Sequence, residues 1–430
     1  MRDPRKVIVL EGARTPFSKA WGELQSVGAV ELGRIALVEA MARSEVSPDQ
    51  VDEVIFGNIG QPADAPNIAR VIALSAGIPH RVPAFSVNRN CASSLEAIAS
   101  AVHRIGSGMA EVIAVGGTES MSEIPLLFGK DLQAILFGLR RARRLSDRLR
   151  VLAKLRPAHL RPVAALEKGL TDPICGLNMG QTAERLVRRY EISREEQDRF
   201  ALRSHQRAVA ARKNGILDQE TVPVFLPPEY RAISQDTVPR AGQSMQALAK
   251  LRPVFDGPHG SVTAGNSCPL TDGAAAFILC SEQRARELRA PRLGSIRSYA
   301  FAGLPPDVMG LGPAYATPIA LDRAGVTLRQ IGLIEINEAF AAQVIANLKV
   351  FPSRQFARRE LDRQEPIGEI DPDILNVNGG AIALGHPVGS SGARIVLTLL
   401  KEMLRRGCDL GLATLCAGGG QGGSVVVEIT

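Results

Sequence analysis

Four turns of this chain carry residue types suited to acyl transfer. The stretch "SVNRNCASSLEAIAS" (residues 86–100) puts Cys91 between a short apolar run, Val82 to Val87, and a helical recurrence of Leu95, Ile98, Ala99 and Val102. A cysteine at a helix start is either a packed small residue or a thiol whose ionised form the unpaired amides and the dipole favour. The stretch "NVNGGAIALGHPVGSSGARIV" surrounds His386 with glycines, whose exposed amides permit close ligand approach. There His386 is either a structural cap of the turn or a base. In "LCAGGGQGG", Cys416 ends a strand beside Gly418, where free amides are good donors to a developing oxyanion; the alternative is a buried structural cysteine. In "EINEAFAAQ", Asn337 is either a helix N-cap or a group that orients a water or a carbonyl, with Glu338 next to it. A thiolate nucleophile, a histidine base, a second cysteine as acid and base, and polar donors together describe transfer through a thioester. No G-x-S-x-G elbow supports serine hydrolysis instead.

The elements that must position these turns repeat along the chain. "ELGRIALVEAMARSEVSPDQVDEVIFGN" is matched in order and pattern by "ATPIALDRAGVTLRQIGLIEINEAF", and "FSVNRNCASSLEAIASAVHRIGSGMAEVIAVGGTES" by the segment from Leu375 to Gly423. By this repeat Cys416 falls at the turn corresponding to Gly117. Both copies run strand, small-residue turn, long helix, strand. Continuous apolar strands such as "EVIAVGG" and "LGLATLC" belong to sheets covered on both faces. The expectation is an α/β fold of two similar halves: residues 1–120 with 254–290, and residues 291–430. Residues 121–253, where the repeat is absent, read as a long loop domain inserted in the first half.

Composition narrows the class. The chain has 430 residues, is 45% hydrophobic and carries a net charge of +7. No long apolar run predicts a membrane span, and the N-terminus enters a strand pattern without room for a signal peptide. A cytoplasmic protein is therefore expected. The six cysteines make no C-x-x-C pair and share no ligand spacing with histidine, so neither zinc nor another metal is expected. Much of the charge lies between Arg140 and Arg161, with Leu145, Leu149, Leu152 and Leu155 on one face of a basic amphipathic helix. Such a segment suits an anionic bilayer surface or a partner groove, and the scarcity of aromatics argues against nucleic acid.

At these residues the chain resembles the thiolase family. The likeness rests on "GARTPF", "NRNCASSLEAI", "GGTESMS", "KLRPVF", "VTAGNSCPLTDGAAA", "NEAFAAQ", "NVNGGAIALGHPVGSSGARI" and "CAGGGQGG", in the family order and over essentially the whole chain. It implies a layered α-β-α-β-α fold and cleavage of a 3-ketoacyl-CoA by CoA in fatty-acid β-oxidation. Cys91 would carry the acyl group, His386 would take its proton, and Cys416 would serve as acid and then base. Asn337, through a water, and His386 would bind one thioester oxygen; the amides of Cys91 and Gly418 would bind the other. Glu338 would stand behind them. CoA would be a co-substrate, with no cofactor, and would meet Arg240 and the Ser267–Cys268 pair. This chain departs from many relatives by reading Cys268 in place of a serine and Asn178 in place of a histidine. Both departures resemble the thiolase subunit of the trifunctional fatty-acid oxidation complexes. That likeness implies a homodimer, a hydratase/dehydrogenase partner subunit, and contact of residues 126–168 with the inner face of a membrane. The rivals are an acetoacetyl-CoA thiolase running towards condensation and a non-catalytic, thiolase-like lipid-binding subunit.

Overall fold

The computed structural model describes residues 5–429; Met1 to Pro4 and Thr430 lie outside the described residues. Nine strands carry the main sheet: β1 (Val7–Arg14), β2 (Glu53–Gly57), β3 (Ala84–Val87), β4 (Val112–Glu119), β5 (Thr271–Ser281), β6 (Gly294–Gly303), β7 (Leu333–Ile336), β8 (Leu410–Ala417) and β9 (Gln421–Glu428). Their order is β7-β8-β9-β6-β1-β5-β4-β2-β3, with the two-residue strand Ser18–Lys19 paired to β5.

The internal repeat is visible in this order. Outward from the middle, the first half runs β1, β5, β4, β2, β3, and the second runs β6, β9, β8, β7. In each half the two inner pairings are antiparallel and the next is parallel. The parallel β2–β3 pair has a vestigial counterpart in the bridge between Ile334 and Leu375. The halves join where Val7–Val9 pairs with Gly294–Ile296.

Alternation along the strands divides the side chains among three apolar layers. Ile8 and Leu10 face one outer layer with Leu32 and Ala36, whereas Val7 and Val9 face a central layer with Leu95, Ile98, Ile395 and Val396. In the second half Leu412 and Val426 face the other outer layer, and Ala413, Leu415 and Val425 the central one. The period of two sends successive residues to opposite faces, so both faces of each half-sheet are buried. A fully buried Val, Leu or Ile contributes roughly 1.5–3 kcal/mol, which is why the strands read as unbroken apolar runs. The central layer is built on two helices, Ser93–Gly106 and Ser391–Arg406, each following one of the chemistry-bearing turns. They touch closely: the Ala393 amide donates to Ser94 Oγ at 2.9 Å.

Between β4 and β5 the chain makes its long excursion. Helices Met179–Arg189 and Arg194–Lys213 lie over the second half, and the tail of the excursion is fastened to the first by Arg14. That fully buried guanidinium bonds Glu220 and Asp236, each at 2.6 Å. The basic segment is closed at its base by a two-residue ladder, Leu126–Leu127 against Val163–Ala164. It holds two helices, Lys130–Arg141 and Leu145–Leu152, not one continuous amphipathic helix. The second helix stops short of Leu155 and buries none of its residues, with Leu145 72% exposed.

Candidate active site

Cys91 sits on the tight link between β3 and the helix Ser93–Gly106. The chain turns through Asn90, whose φ of 47° lies in the left-handed region that asparagine tolerates better than most residues. The Asn90 side chain donates to the Gly418 carbonyl at 2.7 Å, tying the Cys91 turn to the glycine turn after Cys416. The amides of Cys91 and Gly418 both donate towards the Cys91 sulfur.

The expectation that the helix start lowers the thiol pKa is overturned. Burial raises Cys91 above an ordinary thiol; the two amides oppose that effect, and the Glu119 carboxylate adds to it. The helix begins at Ser93 with Ala92 as its cap, so Cys91 lies outside the first turn, where the dipole acts. At neutral pH this is a protonated thiol that needs a base.

His386 has the electronic form of one. Its Nδ1 lies 2.5 Å from Ser391 Oγ, and the Ser391 hydroxyl donates to the Pro387 carbonyl at 3.0 Å. With the hydroxyl's one hydrogen on the Pro387 carbonyl, the imidazole donates from Nδ1 and keeps its lone pair on Nε2. Nε2 is buried and has no partner among the described residues. Burial, and then the charge of Arg394, push the ring down to about 4, so it is neutral at physiological pH. The His386 amide donates to Thr271 Oγ1 at 3.1 Å, which docks the loop on the start of β5.

Cys416 ends β8 and is buried among Met309, Ala339 and Phe340, with Met179 and Cys268 against it. Burial holds its thiol well above the ordinary value, and the neighbouring Cys91 and Cys268 raise it further. The Cys268 thiol is raised in the same way, by burial and then by Cys91. The three thiols thus lie near enough for their charges to interact. Asn337 follows β7, and its amide donates to the Thr414 carbonyl at 3.0 Å, on the strand that ends in Cys416. It caps no helix. Both polar atoms of its side chain are buried without a partner among the described residues, the condition of a group held for a water or a ligand. Glu338 turns away from the pocket and accepts from Ser204 Oγ (2.6 Å), Asn376 Nδ2 (2.8 Å) and the Ile382 amide (3.2 Å).

The residues expected to meet CoA are placed differently. Ser267 spends its hydroxyl hydrogen on the Thr263 carbonyl at 2.7 Å, inside its own loop, whereas Cys268 faces the other thiols. Arg240 is exposed on the insert, and its amide donates to His205 Nδ1 at 3.3 Å. Asn178 caps the helix Met179–Arg189, its Oδ1 accepting from the Gln181 amide at 2.9 Å. Sequence reading missed Ser391 and Thr271, which orient His386, and Met179, which the insert brings against the Cys416 pocket. The serine-rich "GSSGAR" after His386 was the available signal for the first.

The family model described as the thiolase N-terminal domain matches residues 7–283, and that of the thiolase C-terminal domain residues 290–429. A 3-ketoacyl-CoA thiolase of Yersinia enterocolitica is 46% identical, the match covering all of this chain and 98% of that one. Among solved structures, a Bacillus anthracis acetyl-CoA acetyltransferase superposes with a TM-score of 0.87 at 38% identity, over the full length of both chains. The human mitochondrial 3-ketoacyl-CoA thiolase in complex with CoA gives 0.85 at 36% identity, covering 99% of this chain and 98% of that one. From one end to the other, the chain belongs to the thiolase family.

Proposed function

We propose that this chain is a 3-ketoacyl-CoA thiolase, an acyltransferase that cleaves a 3-ketoacyl-CoA with CoA into acetyl-CoA and a shortened acyl-CoA. The single observation that carries the residue assignments is the convergence of the Cys91 and Gly418 amides on the Cys91 sulfur, with Cys416 beside it. Cys91 attacks the 3-keto carbon as its proton passes to His386 Nε2. The oxygen of the tetrahedral adduct sits between the two amides, which donate to it without reorganisation. Carbon–carbon cleavage expels the acetyl-CoA carbanion, whose thioester oxygen is held by His386 and, through a water, by Asn337. Cys416, a neutral thiol at rest, gives that carbanion its proton. The resulting thiolate then takes the proton of incoming CoA, whose sulfur displaces the acyl group from Cys91, and the Cys91 sulfur recovers its proton from His386. In this reading Arg240 meets the adenine end of CoA and Cys268 the pantetheine arm; Ser267, with its hydrogen already spent, contributes less.

Thiolysis assays across a series of 3-ketoacyl chain lengths test the assignment. Activity confined to acetoacetyl-CoA would support the second reading, an acetoacetyl-CoA-forming thiolase, which the Bacillus anthracis likeness favours. The intact set of Cys91, Asn337, His386 and Cys416 argues against a non-catalytic lipid-binding subunit.

The same reading pairs two thiolase subunits in a homodimer beside a hydratase/dehydrogenase subunit, and assigns residues 126–168 to the inner, cytoplasmic face of an anionic membrane. No helix among the described residues is long and apolar enough to cross a membrane. The exposed Leu145 and Leu149 lie among Arg143, Arg144, Arg148 and Arg150, after the exposed Leu126, Phe128 and Phe137, a pattern suited to lying in an interface. Each basic residue near such a surface contributes about 1 kcal/mol, so a few engaged arginines suffice for peripheral binding. Deleting residues 126–168 should abolish flotation with anionic vesicles; unchanged flotation and partner binding would defeat the proposal.

A further inference from the structure

We propose that Glu119, at the end of β4, is a positioning residue that clamps the His386 segment of the second half onto the Cys91 side of the first. Its side chain is wholly buried, and no lysine or arginine pairs with it among the described residues. Four N–H donors take the place of a cation. Oε1 accepts from the Gly60 amide at 2.7 Å and from Asn58 Nδ2 at 3.1 Å; Oε2 accepts from the Gly389 amide at 2.9 Å and the Ile59 amide at 3.1 Å. A buried carboxylate is tolerated only when its lone pairs are occupied in this way.

Three of those donors belong to the turn after β2; the fourth belongs to the other half, three residues beyond His386. Gly389 is pressed into this contact. A Cβ there would lie 2.9 Å from Asn58 Cα, from Glu119 Oε2 and from the Thr118 carbonyl oxygen. Two residues further on is Ser391, which sets the His386 tautomer, so the position of Gly389 fixes the position of the hydroxyl. At the other end of the segment, Glu338 Oε2 holds the Ile382 amide at 3.2 Å. His386 therefore hangs between two buried carboxylates, one from each half. The repeat gives Asn58 the place in the first half that Asn337 holds in the second: one copy supports the clamp, and the other leaves its side chain unpartnered in the pocket.

The ionisable groups that face Glu119 are Cys91, whose thiolate it disfavours, and Asp272 on β5. Burial, with a contribution from Asp272, lifts Glu119 to about 7. The proposal rests on the thiolase reading, and wild-type enzyme run alongside keeps the two separable.

Glu119→Gln preserves size and removes charge. Because each oxygen accepts two donors, the amide NH2 faces two N–H groups whichever way it turns. Displacing the His386 segment by even a fraction of an ångström should lower thiolysis kcat about 10- to 100-fold. KM should change less than kcat, since the displaced His386 contact strengthens as charge builds on the thioester oxygen. Alkylation of Cys91 by iodoacetamide should move to lower pH, because a carboxylate that opposed the thiolate is gone; the fall in kcat beyond any change in KM is what a merely structural role would not produce. Asn58→Ala removes one donor but keeps the charge, and should lower kcat about threefold, the size of one weakened hydrogen bond, without moving the alkylation profile. If Glu119→Gln does not fold, Asn58→Ala decides, and an unchanged kcat overturns the clamp. Normal wild-type thiolysis with an unaffected Glu119→Gln enzyme overturns the clamp alone. Absence of wild-type thiolysis overturns the thiolase reading.

Discussion

Replacing Ser391 by alanine removes one buried hydroxyl and tests whether the tautomer of His386 is set by its neighbour. In the wild type, Nδ1 donates to Ser391 Oγ at 2.5 Å and Nε2 is left as the base. Without the hydroxyl, the ring either keeps Nδ1–H buried and unsatisfied or moves its proton to Nε2, where it can no longer accept one from Cys91. An unsatisfied buried donor costs about 1–3 kcal/mol, and the alternative tautomer forfeits at least as much. If that energy appears in the barrier to acylation, the rate falls about 5- to 150-fold. The assay is a single-turnover measurement of acyl-enzyme formation from a 3-ketoacyl-CoA, with KM recorded separately. Ser391 lies behind the imidazole and not against substrate, so KM should hold while the acylation rate drops. Ser391→Thr, which keeps the hydroxyl, should recover part of the loss. An acylation rate within twofold of wild type would refute the tautomer argument.

Three further outcomes follow. Cys416→Ser should still be alkylated at Cys91 yet lose turnover by roughly 10²- to 10⁴-fold, the range for a removed general acid, as measured by thiolysis. Because burial raises the Cys91 thiol and His386 titrates only near 4, alkylation of free Cys91 should keep rising above pH 9; a plateau near neutrality would mean that the thiolate is preformed. Leu145→Glu combined with Leu149→Glu should leave melting temperature and thiolysis unchanged, since both side chains are exposed, and should reduce binding to anionic vesicles measured by flotation.

The two-half architecture was legible because burial on both faces leaves a mark on every strand. Continuous apolar runs such as "EVIAVGG" and "LGLATLC", recurring with the same helices in the same order, reappear as β4 and β8 at matching places in the sheet. His386 and Cys416 stood out because turns that expose amides need glycine, and glycine density is a local signal; Cys91, whose turn holds no glycine, stood out as a lone cysteine between an apolar run and a helical recurrence. What escaped notice depends on distance in space. Glu119 meets Gly389 from 270 positions away. The direction of the Cys91 shift also escaped: a helix start is visible in sequence, but the burial that outweighs it comes from packing with the other half. Asn178 marked a departure from many relatives without revealing its reason, which is an N-cap made three residues on. In the basic segment the leucine spacing pointed to one helix, whereas the chain breaks after Arg141 and again after Leu152.

The central claim is that Cys91 carries the acyl group. It is tested most directly by quenching the enzyme in acid shortly after mixing with a 3-ketoacyl-CoA and locating the adduct by peptide mass spectrometry. The account predicts a mass increase equal to the acyl group shortened by two carbons, on the peptide holding Cys91, and its disappearance when CoA is added before the quench. An unmodified Cys91, or an adduct that forms on Cys268 or Cys416 instead, would contradict it.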